Sequence, residues 1–123
     1  MPMDKPRVVI VDDVLDTAEA LAGQLRLDGY DVRIALNGLE ALALAEQFRP
    51  HCMIIDVYMP AMNGAELTTQ MRARYGDDVV LLGVTGGTKT HPVVRDTFAR
   101  VDHYFHKPVD IQDLRKLLPP VAA

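Results

Sequence analysis

The chain has 123 residues, of which 49% are hydrophobic and 24% charged, and its formal net charge is −4. That length suffices for one core without disulfide or metal staples, the apolar runs are too short to span a bilayer, and the acid excess argues against a broad nucleic-acid footprint. A single domain over 1–123, with its core over about 7–118, is therefore expected, with no membrane partner and no direct nucleic-acid partner.

Met1-Pro2-Met3-Asp4-Lys5-Pro6 lacks the apolar stretch of a secretory signal, so a cytoplasmic location is expected. Residues 7–12 read as a buried strand ending in Asp12-Asp13. Val14, Ala18, Leu21, Ala22 and Leu25 then recur at helical spacing until Gly29 stops the helix. Residues 31–35 form a second strand. Asn37-Gly38 opens a helix over about 39–48, with Leu39, Leu42 and Ala45 on one face, and Pro50 prevents its continuation. Cys52 falls in an apolar run and reads as a small core residue; Met53-Ile54-Ile55 leads to Asp56 as the third strand. A loop with Met59-Pro60 and Gly64 precedes a helix to about Arg74, and 79–84 is a fourth strand, apolar on both faces and followed by Thr85. Gly86-Gly87 breaks the chain, and Pro92 suits the first turn of a helix to about Arg100. A short strand from His103 reaches Lys107. The last helix starts near Asp110, buries Ile111, Leu114, Leu117 and Leu118, and stops at Pro119-Pro120.

Five βα units with short connections call for a doubly wound α/β sandwich: a five-stranded parallel sheet in the order 2-1-3-4-5, with five helices on two faces, a flavodoxin-like arrangement. In such a sheet the carboxyl ends of the strands form the ligand crevice, and the switch point sets Asp12, Asp13 and Asp56 side by side. Three carboxylates in contact are costly. At about 4 Å and an effective dielectric near 20, each pair repels by roughly 4 kcal/mol, so one must protonate or a cation must enter. Oxygen donors with no Cys or His cluster favour Mg²⁺, which keeps several waters and takes a phosphate oxygen beside a few carboxylates. Lys107 adds a point charge and Thr85 a hydroxyl, the groups needed to neutralise and orient a transferring phosphoryl, with Asp56 as the nucleophile. The ordinary alternatives are a helix N-cap for Asp12, surface positions for Thr85 and Lys107, static packing for Tyr104, and solvated side chains for His51, His91, His103 and His106.

Val9-Ile10-Val11-Asp12-Asp13, the run Ile54-Ile55-Asp56-Val57-Tyr58-Met59-Pro60 with Gly64, Val84-Thr85, and Tyr104-Phe105-His106-Lys107-Pro108 together resemble the receiver domain of two-component response regulators. The resemblance implies that Asp56 accepts a phosphoryl group from the phosphohistidine of a sensor histidine kinase or a histidine phosphotransfer protein. It implies Mg²⁺ held by Asp12, Asp13, Asp56 and the backbone carbonyl of Tyr58, Lys107 paired with the phosphoryl, and Thr85 moving to bond it while Tyr104 swings inward. It further implies a cis Lys107-Pro108 bond and an output face built from the fourth helix, fifth strand and last helix, over 92–118. On this reading the chain is not a turnover enzyme but a signalling domain that catalyses its own phosphorylation and dephosphorylation, as a monomer or weak dimer.

Gly86, Gly87 and Arg100 depart from the usual pattern around the fourth helix. A bulky Tyr58 with no side chain at Gly87 suggests an acyl phosphate that is not especially short-lived. All five site residues are present, which disfavours a degenerate receiver that serves only as a docking module. A tyrosine at position 58 disfavours an aspartyl phosphatase, which carries a second acid there. The acids after the first strand would repel a flavin phosphate. Pro119 to Ala123 are too few for an output domain, so the chain is expected to be a stand-alone receiver or one excised from a hybrid kinase or longer regulator.

Overall fold

A computed structural model describes residues 5–57, 62–86, 100–107 and 109–121. Within them the strands are β1 (Arg7–Val11), β2 (Asp31–Ala35), β3 (Cys52–Asp56), β4 (Val80–Thr85) and β5 (His103–His106), and the helices are α1 (Leu15–Leu27), α2 (Gly38–Phe48), α3 (Gly64–Tyr75) and α4 (Ile111–Arg115). The helix expected to begin at Pro92 lies outside the described residues up to residue 99, as do the Met59-Pro60 loop and Pro108. All strand pairings are parallel and the order is β2-β1-β3-β4-β5, as the alternation of elements requires.

Alternate residues of each strand feed two cores, because successive side chains point to opposite faces. Val9, Val11, Met53, Ile55 and Leu81 pack with α2 and α3. Val8, Ile10, Ile54 and Leu82 pack with α1 and α4. Each such side chain stabilises the fold by about 1.5–3 kcal/mol when fully buried. β3 is buried end to end and β1 and β4 are buried beyond their first residue, so the polar residues that follow them are held by a rigid frame.

Three local expectations are corrected. Val14 is half exposed and serves as N-cap of α1, so the buried stripe begins at Ala18. Leu39 is 62% exposed; the stripe of α2 runs through Gly38, Ala41, Leu42, Ala45 and Phe48, which turns Leu39 about 100° off the core. The last helix is shorter than expected. Asp110 caps it by accepting from the Gln112 N–H, but it ends at Arg115, and Leu118 is buried from the turn that follows. The tail is secured by the Tyr30 hydroxyl donating to the Pro119 carbonyl at 2.7 Å and by Arg115 paired with Asp28 at 2.6 Å.

His51 is also corrected, from solvated to structural. Its Nδ1 accepts the Arg7 N–H at 2.9 Å, while its own N–H donates to the Arg7 carbonyl at 2.8 Å and its carbonyl accepts from Val80, tying the feet of β1, β3 and β4. The neutral ring therefore carries its proton on Nε2. Burial first, and then the Arg7 charge, lowers its pKa below the ordinary 6.5. The native state releases this proton more readily than the unfolded chain. The associated stability is thus complete above the unfolded pKa and is lost as pH falls through 6.5 toward the lower native value. Between about pH 7.5 and pH 5, His51→Asn, which keeps an acceptor toward Arg7, should show a shallower fall in urea midpoint than the parent; identical slopes would contradict this.

Candidate functional site

Asp12, Asp13 and Asp56 stand at the carboxyl ends of neighbouring strands β1 and β3, and one carboxylate oxygen from each lies within 4.8 Å of the others. Asp12 is 6% and Asp56 7% exposed, whereas Asp13 is open to water, which screens its share of the repulsion. Asp12 does not cap α1: its Oδ1 accepts the Val14 N–H two residues on, at 2.9 Å, an Asx turn that fixes the carboxylate before the helix begins. Its own N–H donates to the Ala35 carbonyl and continues the β1–β2 ladder by one residue. Hard carboxylate oxygens at this separation fit a small divalent cation.

Lys107 follows β5, and its Nζ donates to Asp56 Oδ2 at 3.0 Å. Partial burial is the largest influence on its pKa and acts downward. The hydrogen bond to Asp56 and the charges of Asp56, Asp12 and Asp13 together outweigh it, so the net shift is upward and the ammonium persists. The Lys107 N–H also donates to the Thr85 carbonyl at 2.9 Å. Thr85 is fully buried rather than at the surface, one residue beyond Val84, the register partner of Asp56. Tyr104 pairs in register with Gly83, and its half-buried ring crosses that residue so closely that a Cβ there would sit 3.2 Å from two ring carbons. Gly83 is thus the position that admits the ring. Tyr58, Gly87 and the Lys107-Pro108 bond lie outside the described residues.

Sequence reasoning passed over Arg72 and Asp102, which hold the approach to β5 and hence Lys107. Arg72 donates to the carbonyls of Gly76, Val79 and Arg100 and to Asp102 Oδ2, the last at 2.8 Å. Asp102 Oδ2 also accepts the Leu81 N–H at 2.7 Å. Burial pushes the Asp102 carboxyl upward, but the Leu81 and Arg72 bonds prevail and hold it below the usual range. An Arg on α3 and an Asp thirty residues later carry no local motif, so only the tertiary arrangement reveals the clasp.

A cleft of about 470 Å³ is lined by Asp12, Asp56 and Lys107 together with apolar residues that include Ala18, Leu21 and Ile111. The sequence profile described as the response regulator receiver domain matches residues 8–119. The chain belongs to that family. It is 35% identical over 108 residues to the response regulator MprA of Mycobacterium sp. (strain KMS), covering 88% of this chain and 46% of that protein, and 34% identical to MprA of Mycobacterium avium (strain 104), covering 88% and 47%. It thus spans about half the length of these curated relatives. A receiver domain protein from Methanospirillum hungatei JF-1 superimposes with a TM-score of 0.82 at 29% identity, over 91% of this chain and 89% of that one. The chemotaxis protein CheY4 of Vibrio cholerae gives 0.80 at 28%, over 93% and 99%. A response regulator protein from Burkholderia pseudomallei, solved with a phosphorylated aspartic acid, a calcium ion and citrate, gives 0.82 at 25%, over 93% and 66%.

Lys107 offsets part of the repulsion within this receiver's acid cluster, so Lys107→Met should lower stability in chelator-treated buffer by about 1 kcal/mol, the strength of a charged hydrogen bond discounted for exposure. The pKa of Lys107 is raised in the native state, so the stabilisation is complete below the ordinary 10.5 and is lost as pH climbs through the higher native value. The gap between parent and variant in urea midpoint should close on the alkaline side; a gap independent of pH would contradict the pairing.

Proposed function

We propose that this receiver accepts a phosphoryl group on Asp56 from the phosphohistidine of a sensor histidine kinase or a histidine phosphotransfer protein, in the cytoplasm, as one domain over 1–123. The observation that carries the reading is the 3.0 Å contact from Lys107 to an Asp56 carboxylate that also sits within 4.8 Å of two further acids. An Asp56 oxygen attacks phosphorus, the new P–O bond forms as the P–N bond breaks, and the electron pair returns to the donor imidazole. Asp56 needs no proton removed. The Lys107 ammonium neutralises charge on the phosphoryl oxygens, and the buried Thr85 hydroxyl supplies a donor once the phosphoryl is in place.

Mg²⁺ fits the all-oxygen donor set of Asp12, Asp13 and Asp56, with the Tyr58 carbonyl as the fourth protein ligand, and when bound it would neutralise the charge that gathers there. The phosphorylated aspartic acid and calcium ion of the Burkholderia pseudomallei relative support this assignment. Movement of Thr85 toward the phosphoryl frees space for Tyr104, whose ring already lies over Gly83 two residues earlier on β4. The change then reaches the output face over 92–118, where a downstream protein or a linked domain would read it. Such a shift is bounded by the difference in interaction of the phosphoryl with the two states, so some activity without phosphate is expected.

Incubation with acetyl phosphate and Mg²⁺, followed by intact-mass measurement, should add one phosphoryl group per chain. Asp56→Asn or a chelator should abolish the addition, and the acyl phosphate should outlast the first seconds after donor removal. An unmodified chain at saturating donor, or equal modification of Asp56→Asn, would overturn the proposal.

A further inference from the structure

At the end of the sheet opposite the acids, two arginines and a histidine share one concavity. Arg7 opens β1, His51 immediately precedes β3, and Arg49 follows α2, and all three line a pocket of about 300 Å³ with Tyr75, Met71 and Asp78. The chain has 17 acidic and 13 Lys or Arg residues, so a basic residue here has acids in excess to pair with. Yet neither Arg7 nor Arg49 enters an ion pair among the described residues. Their bonds to the protein go to backbone carbonyls instead: Arg7 Nε to Arg49 at 2.9 Å and Arg49 Nε to Glu46 at 3.2 Å. Neither guanidinium group is held by a carboxylate within ion-pair distance among the described residues, and the Arg49 group lies 5.4 Å from the centre of the Tyr75 ring.

Arg49 is also the one non-glycine residue with positive φ among the described residues, at φ 52° and ψ 67°. A left-handed helix end ordinarily takes glycine, and a side chain there costs of the order of 1 kcal/mol. In this arrangement the Arg49 carbonyl meets Arg7 while the Arg49 side chain covers Tyr75. His51 Nδ1 is committed to the Arg7 N–H, so Nε2–H is the ring nitrogen left to donate. Two guanidinium groups and an imidazole N–H around one concavity supply forked donors suited to a phosphate group. The exposed Asp78 carboxylate at the rim calls for a ligand that brings a hydroxyl or amine of its own.

We propose that this pocket binds a small phosphate monoester bearing hydroxyl groups, with the phosphate between Arg7, Arg49 and His51 and a hydroxyl at Asp78. The site is separate from the phosphoacceptor, lying at the other end of β3, and does not depend on the function proposed for Asp56. Ribose 5-phosphate and inorganic phosphate, titrated into the full chain in phosphate-free buffer with chelator and followed by amide NMR, test it. Saturable shifts centred on Arg7, His51 and Val80 are expected, with ribose 5-phosphate the tighter ligand. Arg49→Gly removes the guanidinium and relieves the positive φ, so it should bind at least about tenfold more weakly while melting no lower than the parent. Non-saturating shifts, equal affinity of the two probes, or undiminished binding by a folded Arg49→Gly would overturn the proposal.

Discussion

Three carboxylates with oxygens within 4.8 Å of one another repel, and the rest of the site exists in relation to that repulsion. At an effective dielectric near 20 the cost is about 3.5 kcal/mol per fully ionised pair at that outer distance. Among the described residues, the Lys107 ammonium at 3.0 Å from Asp56 and the Val14 N–H donated to Asp12 offset part of it. Neither satisfies Asp13, which faces water. Among the described residues the arrangement remains short of positive charge, an electrostatic property that suits a divalent cation.

Holding like charges together requires a frame that does not yield. The frame is the sheet: β1, β3 and β4 are buried along both faces, and the polar residues of the candidate site begin where their apolar side chains end. Lys107 arrives from the edge strand, which is short and half exposed, and it depends on added fastening. The Thr85 carbonyl receives its N–H, and the Arg72–Asp102 clasp fixes the approach to β5. Gly83 completes the set by letting the Tyr104 ring lie across β4 beneath Thr85. The Tyr104 ring is thus packed directly on the strand that ends in Thr85.

Sheet order, the placement of acids at strand ends and the family resemblance were legible because each rests on a strong local pattern, apolar runs that stop at a charged residue and helices punctuated by Gly and Pro. What sequence could not supply was the choice among local options that only tertiary contacts decide. Asp12 as an N-cap and Asp12 as an Asx-turn acid preceding a Val14 cap read alike along the chain. Leu39 and Leu42 both suit a helical stripe, and packing against β1 and β2 selects the one on the line of Gly38, Ala41 and Ala45. His51 looked like a solvated residue because its type commonly is, yet it ties three strands, whereas Thr85, assigned to the site by its position after β4, is fully buried. Arg72 and Asp102 were invisible for the same reason, being a pair made only by the fold.

The most direct measurement of the central claim is the stability of Asp13→Asn against the parent, by urea denaturation, first with chelator and then across an Mg²⁺ titration. Neutralising the water-facing acid should raise the midpoint without metal and remove most of the Mg²⁺-dependent gain expected of the parent. A variant no more stable than the parent in chelator, with an undiminished response to Mg²⁺, would contradict the view that these acids are held in mutual repulsion for a cation to relieve.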